Sequence, residues 1–231
     1  GPGWITTPMS SKTFPSLDSE RRIFERGNRF VIGIDEVGRG AIAGPVAVGV
    51  SLIDKTNPAL EAWPEKLQDS KLMTPKSRSE IASPLMDWVS SYAVGFSTNK
   101  EIDELGISEA LRLAAGSALD ELFKDAKTRK SIAEDGAVIL LDGSQNWLGK
   151  VSYGLDVQVQ VKADTNCVSV AAAAVLAKVT RDSVMQELDL QNPGYGLAGH
   201  KGYASAAHIA ALRALGPTAI HRVTWLTRIL A

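Results

Sequence analysis

The chain has 231 residues, with 25 Lys and Arg against 26 Asp and Glu and a formal charge of -1. This length is typical of one domain, with or without a small appendage, that buries its core without disulfides. A single cysteine, Cys167, excludes a disulfide framework and a zinc site built from cysteines. The near-neutral charge argues against nucleic-acid binding, but it is only a sum over the chain and leaves that class open.

The ends and the hydropathy of the chain give no sign of a membrane protein. No apolar run reaches the roughly 18 residues that a membrane span needs, and no signal peptide is visible. Residues 1–3, Gly-Pro-Gly, resemble the remnant of a cleaved tag. We therefore expect a cytoplasmic protein with no membrane partner.

The predicted elements, taken in chain order, describe an α/β domain. Residues 1–28 form a polar extension with a helix near 17–26. Strands are predicted over 30–35, 45–52, 91–97, 137–142 and 157–162, and helices over 74–89, 109–125, 168–187 and 204–215. Ser108 is the predicted N-cap of the second of these helices, and the Ala171–Ala174 run would let the third pack closely on the sheet. Hairpin-like strands followed by strand–helix alternation favour a mixed sheet.

Four carboxylates follow the ends of predicted strands. Asp35 and Glu36 end the first strand, Asp142 ends the strand over 137–142, and Asp164 follows the next one. Ligands bind at such strand ends in open α/β sheets, so we expect these side chains to converge. Crowded carboxylates favour a hard divalent cation, and a pair of Mg²⁺ or Mn²⁺ ions can catalyse phosphoryl displacement. The alternative is that each acid is a solvated turn residue.

The neighbouring acids Asp35 and Glu36 pose a geometric problem. Adjacent residues of a regular strand point to opposite faces, so both reach one site only if the strand bends there. The glycines just beyond them allow such a bend. Without that bend, only one of the two acids contacts the ligand directly, and the other supports it.

A glycine-rich turn follows the first strand. Residues 38–43 fit the dinucleotide fingerprint G-x-G-x-x-A, with Asp54 downstream, but that fingerprint requires a helix next. Gly44-Pro45 and the alternating valines of 46–50 predict a strand instead. We therefore interpret the turn as a loop that a ligand approaches closely, with uncovered amides and the charge of Arg39. A plain hairpin turn is the simpler alternative.

Together these segments resemble the ribonuclease HII family, over residues 30–224 and in the family's order. The matching segments are Ile32-Gly33-Ile34-Asp35-Glu36-Val37-Gly38-Arg39-Gly40, Ala43-Gly44-Pro45, Asp69-Ser70-Lys71, Asp142-Gly143, Lys162-Ala163-Asp164, Ala177-Lys178-Val179, Arg181-Asp182, Gly194-Tyr195-Gly196, His200-Lys201-Gly202-Tyr203, His208 and Gly216-Pro217 with His221-Arg222. The chain departs from the family pattern at Ala163, at Leu72-Met73 and at Val223-Thr224-Trp225, none of which is a candidate metal ligand.

The resemblance implies a fold and a set of site residues. The fold is a ribonuclease H-like mixed sheet flanked by helices, with a catalytic domain over 29–190 and a small helical substrate-binding part over 191–231. The implied catalytic and metal-binding residues are Asp35, Glu36, Asp142 and Asp164. The implied ribonucleotide-sensing residues are Gly38, Arg39, Gly40 and Tyr203, and the implied phosphate contacts are Lys71, Lys162 and Lys201.

The resemblance also implies the activity. It is a metal-dependent endoribonuclease with two Mg²⁺ or Mn²⁺ ions, acting on RNA/DNA hybrids and on single ribonucleotides in duplex DNA. Cleavage would occur 5′ to the ribonucleotide and leave 3′-hydroxyl and 5′-phosphate ends. We expect a monomer. The alternative is a non-catalytic nucleic-acid-binding protein of the same fold.

The roles of several polar residues are not assigned by the sequence. Lys178, Arg181 and Arg222 are further candidates for phosphate contacts, whereas Asp182 has a structural position beside Arg181. The three histidines lack metal-ligand spacing, and we expect them to make polar contacts or to lie near phosphates and not to bind a metal. Residues 190–231 contain no Asp or Glu, so the near-neutral total conceals a basic C-terminal part and does not exclude nucleic acid.

Overall fold

In the computed structural model, the described residues are 14–231. The first thirteen residues of the predicted extension 1–28, including the remnant at 1–3, lie outside the described residues. Within 14–231 the strands form a sheet of order β3-β2-β1-β4-β5. The strands are β1 (Phe30–Val37), β2 (Val46–Asp54), β3 (Ser91–Ser97), β4 (Ala137–Asp142) and β5 (Asp156–Gln160).

Helices cover both faces of this sheet. They are α1 (Asp18–Glu25), α2 (Pro75–Trp88), α3 (Asn99–Leu105), α4 (Ile107–Leu122), α5 (Ala126–Asp135), α6 (Ala163–Asn166), α7 (Val168–Gln191), α8 (Leu197–His200), α9 (Ala206–Leu215) and α10 (Val223–Leu230), with 3-10 turns at Ser70–Leu72 and Gly149–Ser152. In the part of the chain that the structure describes, no helix is long and apolar enough to cross a membrane.

The sheet is mixed, as the sequence predicts. β1 pairs antiparallel with β2, which pairs antiparallel with β3, whereas β1–β4 and β4–β5 are parallel. Side chains alternate along each strand, so each face carries its own apolar cluster. Ile32 and Ile34 pack with α4 on one face, and Val31 packs with α1, α2 and α7 on the other.

The central helix α7 lies unusually close to the sheet. A Cβ added at Gly33 would lie 2.3 Å from the backbone of Ser169, and one added at Gly49 would lie 2.2 Å from the carbonyl oxygen of Ala173. The small residues of α7 and these two glycines therefore let helix and strand backbones meet, as the Ala171–Ala174 run predicts. This contact fixes the face of the sheet on which Asp35 lies.

Five helices and one cap differ from the sequence-based prediction. α4 begins at Ile107 after Gly106, which has a φ of 81°, so Ser108 lies inside the helix and is not its N-cap. The helices α3, α5, α6, α8 and α10 were not predicted as individual elements. The sequence did carry a signal for α3, because Thr98 and Glu101 form a capping box at its start.

The C-terminal segment packs on the glycine-rich turn, which we call the glycine loop (residues 38–44). Ala43 forms a β-bridge with His221, and the amide of Ile42 donates to the carbonyl of Gly202 at 2.9 Å. Apolar side chains from α7, α8, α9 and α10 complete a third cluster around Ile42. The C-terminal part is therefore built onto the loop that leads out of β1.

Candidate active site

Three carboxylates meet at the carboxyl ends of β1 and β4. These strands are parallel, and their last registered pair is Ile34 with Leu141, so Asp35 and Asp142 follow side by side on the same edge. Asp164 reaches the same point from α6. One oxygen from each of the three carboxylates lies within 4.8 Å of the other two. We call Asp35, Asp142 and Asp164 the acidic centre.

Asp164 arrives by a route that the sequence did not predict. β5 ends at Gln160, so Asp164 does not directly follow a strand. Lys162 has a left-handed backbone with a φ of 59°, and α6 starts immediately after it. This turn redirects the chain so that the amide of Asp164 approaches Asp142 Oδ1 at 3.4 Å.

Glu36 lies next to the acidic centre but outside the group of three. β1 stays regular through Val37, with Glu36 opposite Val48 on β2 and no bulge, so the strand does not bend at the acids. Asp35 and Glu36 therefore start from opposite faces. Glu36 still lines the same cavity, and its Oε2 is buried with no hydrogen-bond partner among the described residues.

The acidic centre is electrostatically unfavourable by itself. Burial raises the pKa of Asp35 well above its usual range, and the charges of Glu36, Asp142 and Asp164 raise it further. Burial and the charge of Asp164 also raise the pKa of Asp142. The nearby cation is Lys71, whose Nζ lies 2.9 Å from Asp164 Oδ2.

These residues fit a hard divalent cation. The donor set consists of carboxylate oxygens, which Mg²⁺ and Mn²⁺ prefer over nitrogen or sulfur ligands. A cation would relieve the repulsion at Asp35, and the unpartnered oxygen of Glu36 offers a further ligand at the rim of the group.

The 3-10 turn that carries Lys71 is held in place by the buried side chain of Arg78. Arg78 Nη1 donates to the carbonyls of Ser70 at 2.7 Å and Met73 at 2.6 Å. Asp182 forms ion pairs with Arg78 (Oδ2 to Nη2, 3.5 Å) and with Lys178 (Oδ1 to Nζ, 2.7 Å). Asp182 is therefore placed as a support of the turn, outside the acidic centre, in agreement with the structural position expected for it.

The glycine loop forms the other wall of the site. The acidic centre, Gly38, Arg39, Gly40 and Tyr203 line one cavity of about 430 Å³. The amide of Gly38 donates to the hydroxyl of Tyr203 at 3.2 Å, and Tyr203 is 38% exposed. The loop leads into β2 and not into a helix, which excludes the dinucleotide fingerprint.

Two buried guanidinium groups hold the glycine loop. Arg222 donates to the carbonyls of Gly38 at 2.7 Å, of Arg39 at 2.9 Å and of Gly44 at 3.1 Å. Arg181 donates to the carbonyls of Ala43 at 3.2 Å, Pro45 at 2.8 Å and Lys201 at 2.7 Å.

Both guanidinium groups are fully buried, so the expectation that Arg181 and Arg222 contact phosphates is wrong. Burial lowers the pKa of both groups, that of Arg222 to about 9. Their role is to bond loop carbonyls, which holds the backbone of the glycine loop in place.

The three predicted phosphate-binding lysines have different surroundings. Lys71 lines the cavity. Lys162 is exposed, and Lys201 Nζ donates to the carbonyl of Ala198 at 2.6 Å. Neither of these two is among the cavity residues, whereas Lys178 is.

Comparison with known proteins gives a consistent result. A profile of the ribonuclease HII family matches residues 32–228. Ribonuclease HII of Streptomyces avermitilis is 43% identical over 199 residues, which are 86% of this chain and 78% of that protein. Ribonuclease HII of Syntrophotalea carbinolica is 37% identical over 217 residues, covering 92% of this chain and 95% of that protein.

Solved structures share the fold. The crystal structure of ribonuclease H2 from Pyrococcus horikoshii OT3 superposes with a TM-score of 0.66 at 29% identity, covering 87% of this chain and 96% of that one. The structure of Bst-RNase HIII in complex with Mn²⁺ has a TM-score of 0.63 at 23% identity, covering 92% and 71%.

Proposed function

The chain belongs to the ribonuclease HII family, and from this premise we propose where and how it cuts its substrate. It is a nuclease of the ribonuclease H class, which acts on RNA paired with DNA. The proposed reaction is hydrolysis 5′ to a ribonucleotide, in RNA/DNA hybrids and at single ribonucleotides in duplex DNA, leaving 3′-hydroxyl and 5′-phosphate ends. The observation that carries this proposal is the single cavity shared by the acidic centre, the glycine loop and Tyr203.

The acidic centre would hold a pair of Mg²⁺ or Mn²⁺ ions, with Glu36 as the additional ligand. Once bound, such ions supply an activated water and stabilise the leaving oxygen of a phosphodiester. Asp35 and Asp142 are fixed by the sheet and Asp164 by α6, so their oxygens need no rearrangement to converge. The Mn²⁺ bound in the RNase HIII structure supports an ion of this type.

Ribonucleotide selection would come from the opposite wall. The 2′-hydroxyl distinguishes RNA from DNA, and it can both donate and accept hydrogen bonds. Arg39 and Gly40 are exposed, and they line the cavity together with Gly38. We propose that this backbone bonds the 2′-hydroxyl while the ring of Tyr203 stacks on the sugar or base.

Duplex positioning would rest on Lys71 first. Its ammonium lies at the edge of the acidic centre and its side chain is 74% exposed, so it can turn to a phosphate once cations occupy the carboxylates. Contacts from Lys162 and Lys201 remain predictions for duplex regions outside the cavity. Residues 29–190 and 191–231 would act as one unit because the glycine loop is held by both.

The decisive experiment is to map the cut in a duplex that carries one ribonucleotide. We expect a single cut on its 5′ side in Mg²⁺ or Mn²⁺, no cut in EDTA, and no cut in the matched all-deoxy duplex. The upstream product should be extended by a DNA polymerase, which requires a 3′-hydroxyl. Duplex binding without cleavage in either metal would instead support the alternative, a non-catalytic binder.

A further inference from the structure

All three histidines of the chain lie together behind Tyr203. His208 and His221 are 0% and 1% exposed, and their Nε2 atoms lie 2.9 Å apart. The ring of His200 stacks on that of His208 at a centroid distance of 4.2 Å. Buried imidazoles in direct contact need a defined arrangement of protons, because two facing N–H groups would repel each other.

The hydrogen-bond partners assign that arrangement. His221 Nδ1 accepts from the amide of Thr218 at 3.0 Å, so its proton lies on Nε2 and is donated to His208 Nε2. His208 Nδ1 then carries a proton, which it donates to the carbonyl of Tyr203 at 2.8 Å. Burial lowers the pKa of both histidines, that of His221 to about 4, so both are neutral at pH 7.

One end of this chain of hydrogen bonds contacts Tyr203, and the other lies beside Arg222, which holds the glycine loop. His208 contacts the backbone of Tyr203, whose hydroxyl meets the glycine loop. His221 is bridged to Ala43 and directly precedes Arg222, which holds the loop carbonyls. The hydrogen bond between the two histidines therefore links α9 to the segment around Arg222, which holds the glycine loop.

We propose that His208 and His221 are positioning residues, which fix the ring of Tyr203 relative to the amides of Gly38–Gly40. The inference rests on the proposed role of Tyr203 in ribonucleotide recognition. Neither histidine lines the cavity, so each acts through Tyr203 and the loop. The acidic centre is carried by the sheet and α6. Loss of the hydrogen bond between the histidines should therefore misplace the ribonucleotide while leaving the metal ligands in position.

The test compares His221→Leu with His221→Gln. Gln places an N–H close to the position of the imidazole Nε2 and keeps the donation to His208, whereas Leu removes it. We expect His221→Leu to lower the saturating single-turnover rate at one embedded ribonucleotide by about 10- to 100-fold, because small misplacements cost rates of this order. The Kd for the duplex should change less than about 3-fold, and His221→Gln should recover most of the rate.

Two controls separate positioning from general loosening. Ile132→Ala removes a buried side chain of α5 that belongs to the apolar cluster of the α4 face and not to the one around Ile42, and it should lower the melting temperature while leaving the rate near that of the wild type. The double variant Tyr203→Ala/His221→Leu should be no slower than Tyr203→Ala alone, because residues that act through one another are not additive. If His221→Leu does not fold, His208→Asn replaces it, since Asn keeps a donor near the carbonyl of Tyr203 and removes the contact with His221 together with the ring that stacks on His200.

The outcomes distinguish this inference from the proposed function. If Tyr203→Ala changes rate and affinity equally, the proposed role of Tyr203 fails. If Tyr203→Ala is selective for the rate but the effects of the two substitutions multiply, the positioning role is wrong. It is also wrong if His221→Leu behaves like Ile132→Ala.

Discussion

The two walls of the cavity are built on opposite electrostatic principles. In the acidic centre, like charges are crowded together, the pKa of Asp35 is raised, and an oxygen of Glu36 has no partner. On the glycine-loop side, the loop carbonyls are bonded by Arg181 and Arg222, and the nearby histidines are neutral and paired. The first wall is unfavourable until cations bind, whereas the second is complete without a ligand.

This difference separates chemistry from selection. Substitutions in the acidic centre should remove activity without destabilising the metal-free fold, because they relieve repulsion. Substitutions among the supports of the glycine loop should destabilise the fold, because they leave buried carbonyls unbonded. The following variants test that separation.

The largest effect is expected for Asp35→Asn. Loss of a ligand carboxylate should lower cleavage by at least about 1,000-fold in Mg²⁺ or Mn²⁺. In EDTA the same variant should be more stable to urea than the wild type, because one buried charge of the acidic centre is gone. The matched control is Asp87→Asn on the exposed side of α2, which should change neither quantity. A less stable Asp35→Asn protein in EDTA would contradict the comparison between the two walls.

The second effect concerns Arg222→Gln. It removes the guanidinium that bonds three loop carbonyls, and we expect the free energy of unfolding to fall by about 3 kcal/mol or more. Arg213→Gln, at an exposed position of α9, is the control and should be close to neutral. Urea titrations of the metal-free proteins measure both. A small loss for Arg222→Gln would mean that water replaces the guanidinium and that the loop is less preorganised than its contacts indicate.

The two walls also differ in how much of them the sequence could predict. Asp35 and Asp142 end apolar runs, so the edge on which they meet follows from strand patterning and parallel pairing. The regular register of β1 rules out the bend that would turn Glu36 to the face of Asp35, although Glu36 still lines the same cavity. The position of Asp164 depends on the left-handed backbone of Lys162. This conformation is uncommon for a residue other than glycine, so it could not be predicted from the sequence.

The supports of the glycine loop were out of reach from sequence. Arg181 and Arg222 were expected to contact phosphates because they are basic side chains in the segments that resemble the family. Their burial results from the meeting of residues 38–45 with segments about 140 to 180 residues later in the chain, which no local pattern encodes. The paired histidines have the same origin.

The third prediction uses pH, to which the two walls respond with opposite signs. His221 binds a proton less readily in the folded protein, with a pKa of about 4 against 6.5, so its contribution to stability is complete above pH 6.5 and declines between pH 6.5 and 4. By pH 5 the loss is about 2 kcal/mol. The raised pKa of Asp35 acts in the other direction, because protonation relieves the crowded charges as the pH falls.

Urea titrations in EDTA at pH 7 and pH 5 separate the two contributions. His221→Gln should lose less stability than the wild type between these pH values, since the titrating imidazole is absent. Asp35→Asn should lose more, since it lacks the carboxyl group whose protonation offsets the loss. Parallel pH dependence in all three proteins would show that neither wall carries the charge state assigned to it.

The smallest effect is expected for Lys71→Gln, at the boundary between the two walls. Lys71 pairs with Asp164 but its side chain is 74% exposed, so the ion pair itself adds little stability. If the ammonium moves to a phosphate when cations occupy the acidic centre, the variant should bind a duplex about 3- to 10-fold more weakly, with kcat changed less. The slope of log Kd against log salt concentration should fall by about one, the signature of one lost phosphate contact.

Lys76→Gln is the control for this measurement, because its ammonium is 87% exposed and lies near Glu80 on α2. Metal affinity, measured without duplex, provides the second readout. Removal of Lys71 should leave it unchanged or slightly increase it, since the ammonium competes with a cation for Asp164. A weaker metal affinity combined with an unchanged salt slope would instead assign Lys71 to the acidic centre as a structural counter-ion. Duplex positioning would then depend on cations outside the cavity, and the division between a chemical wall and a selecting wall would lose the residue that now connects them.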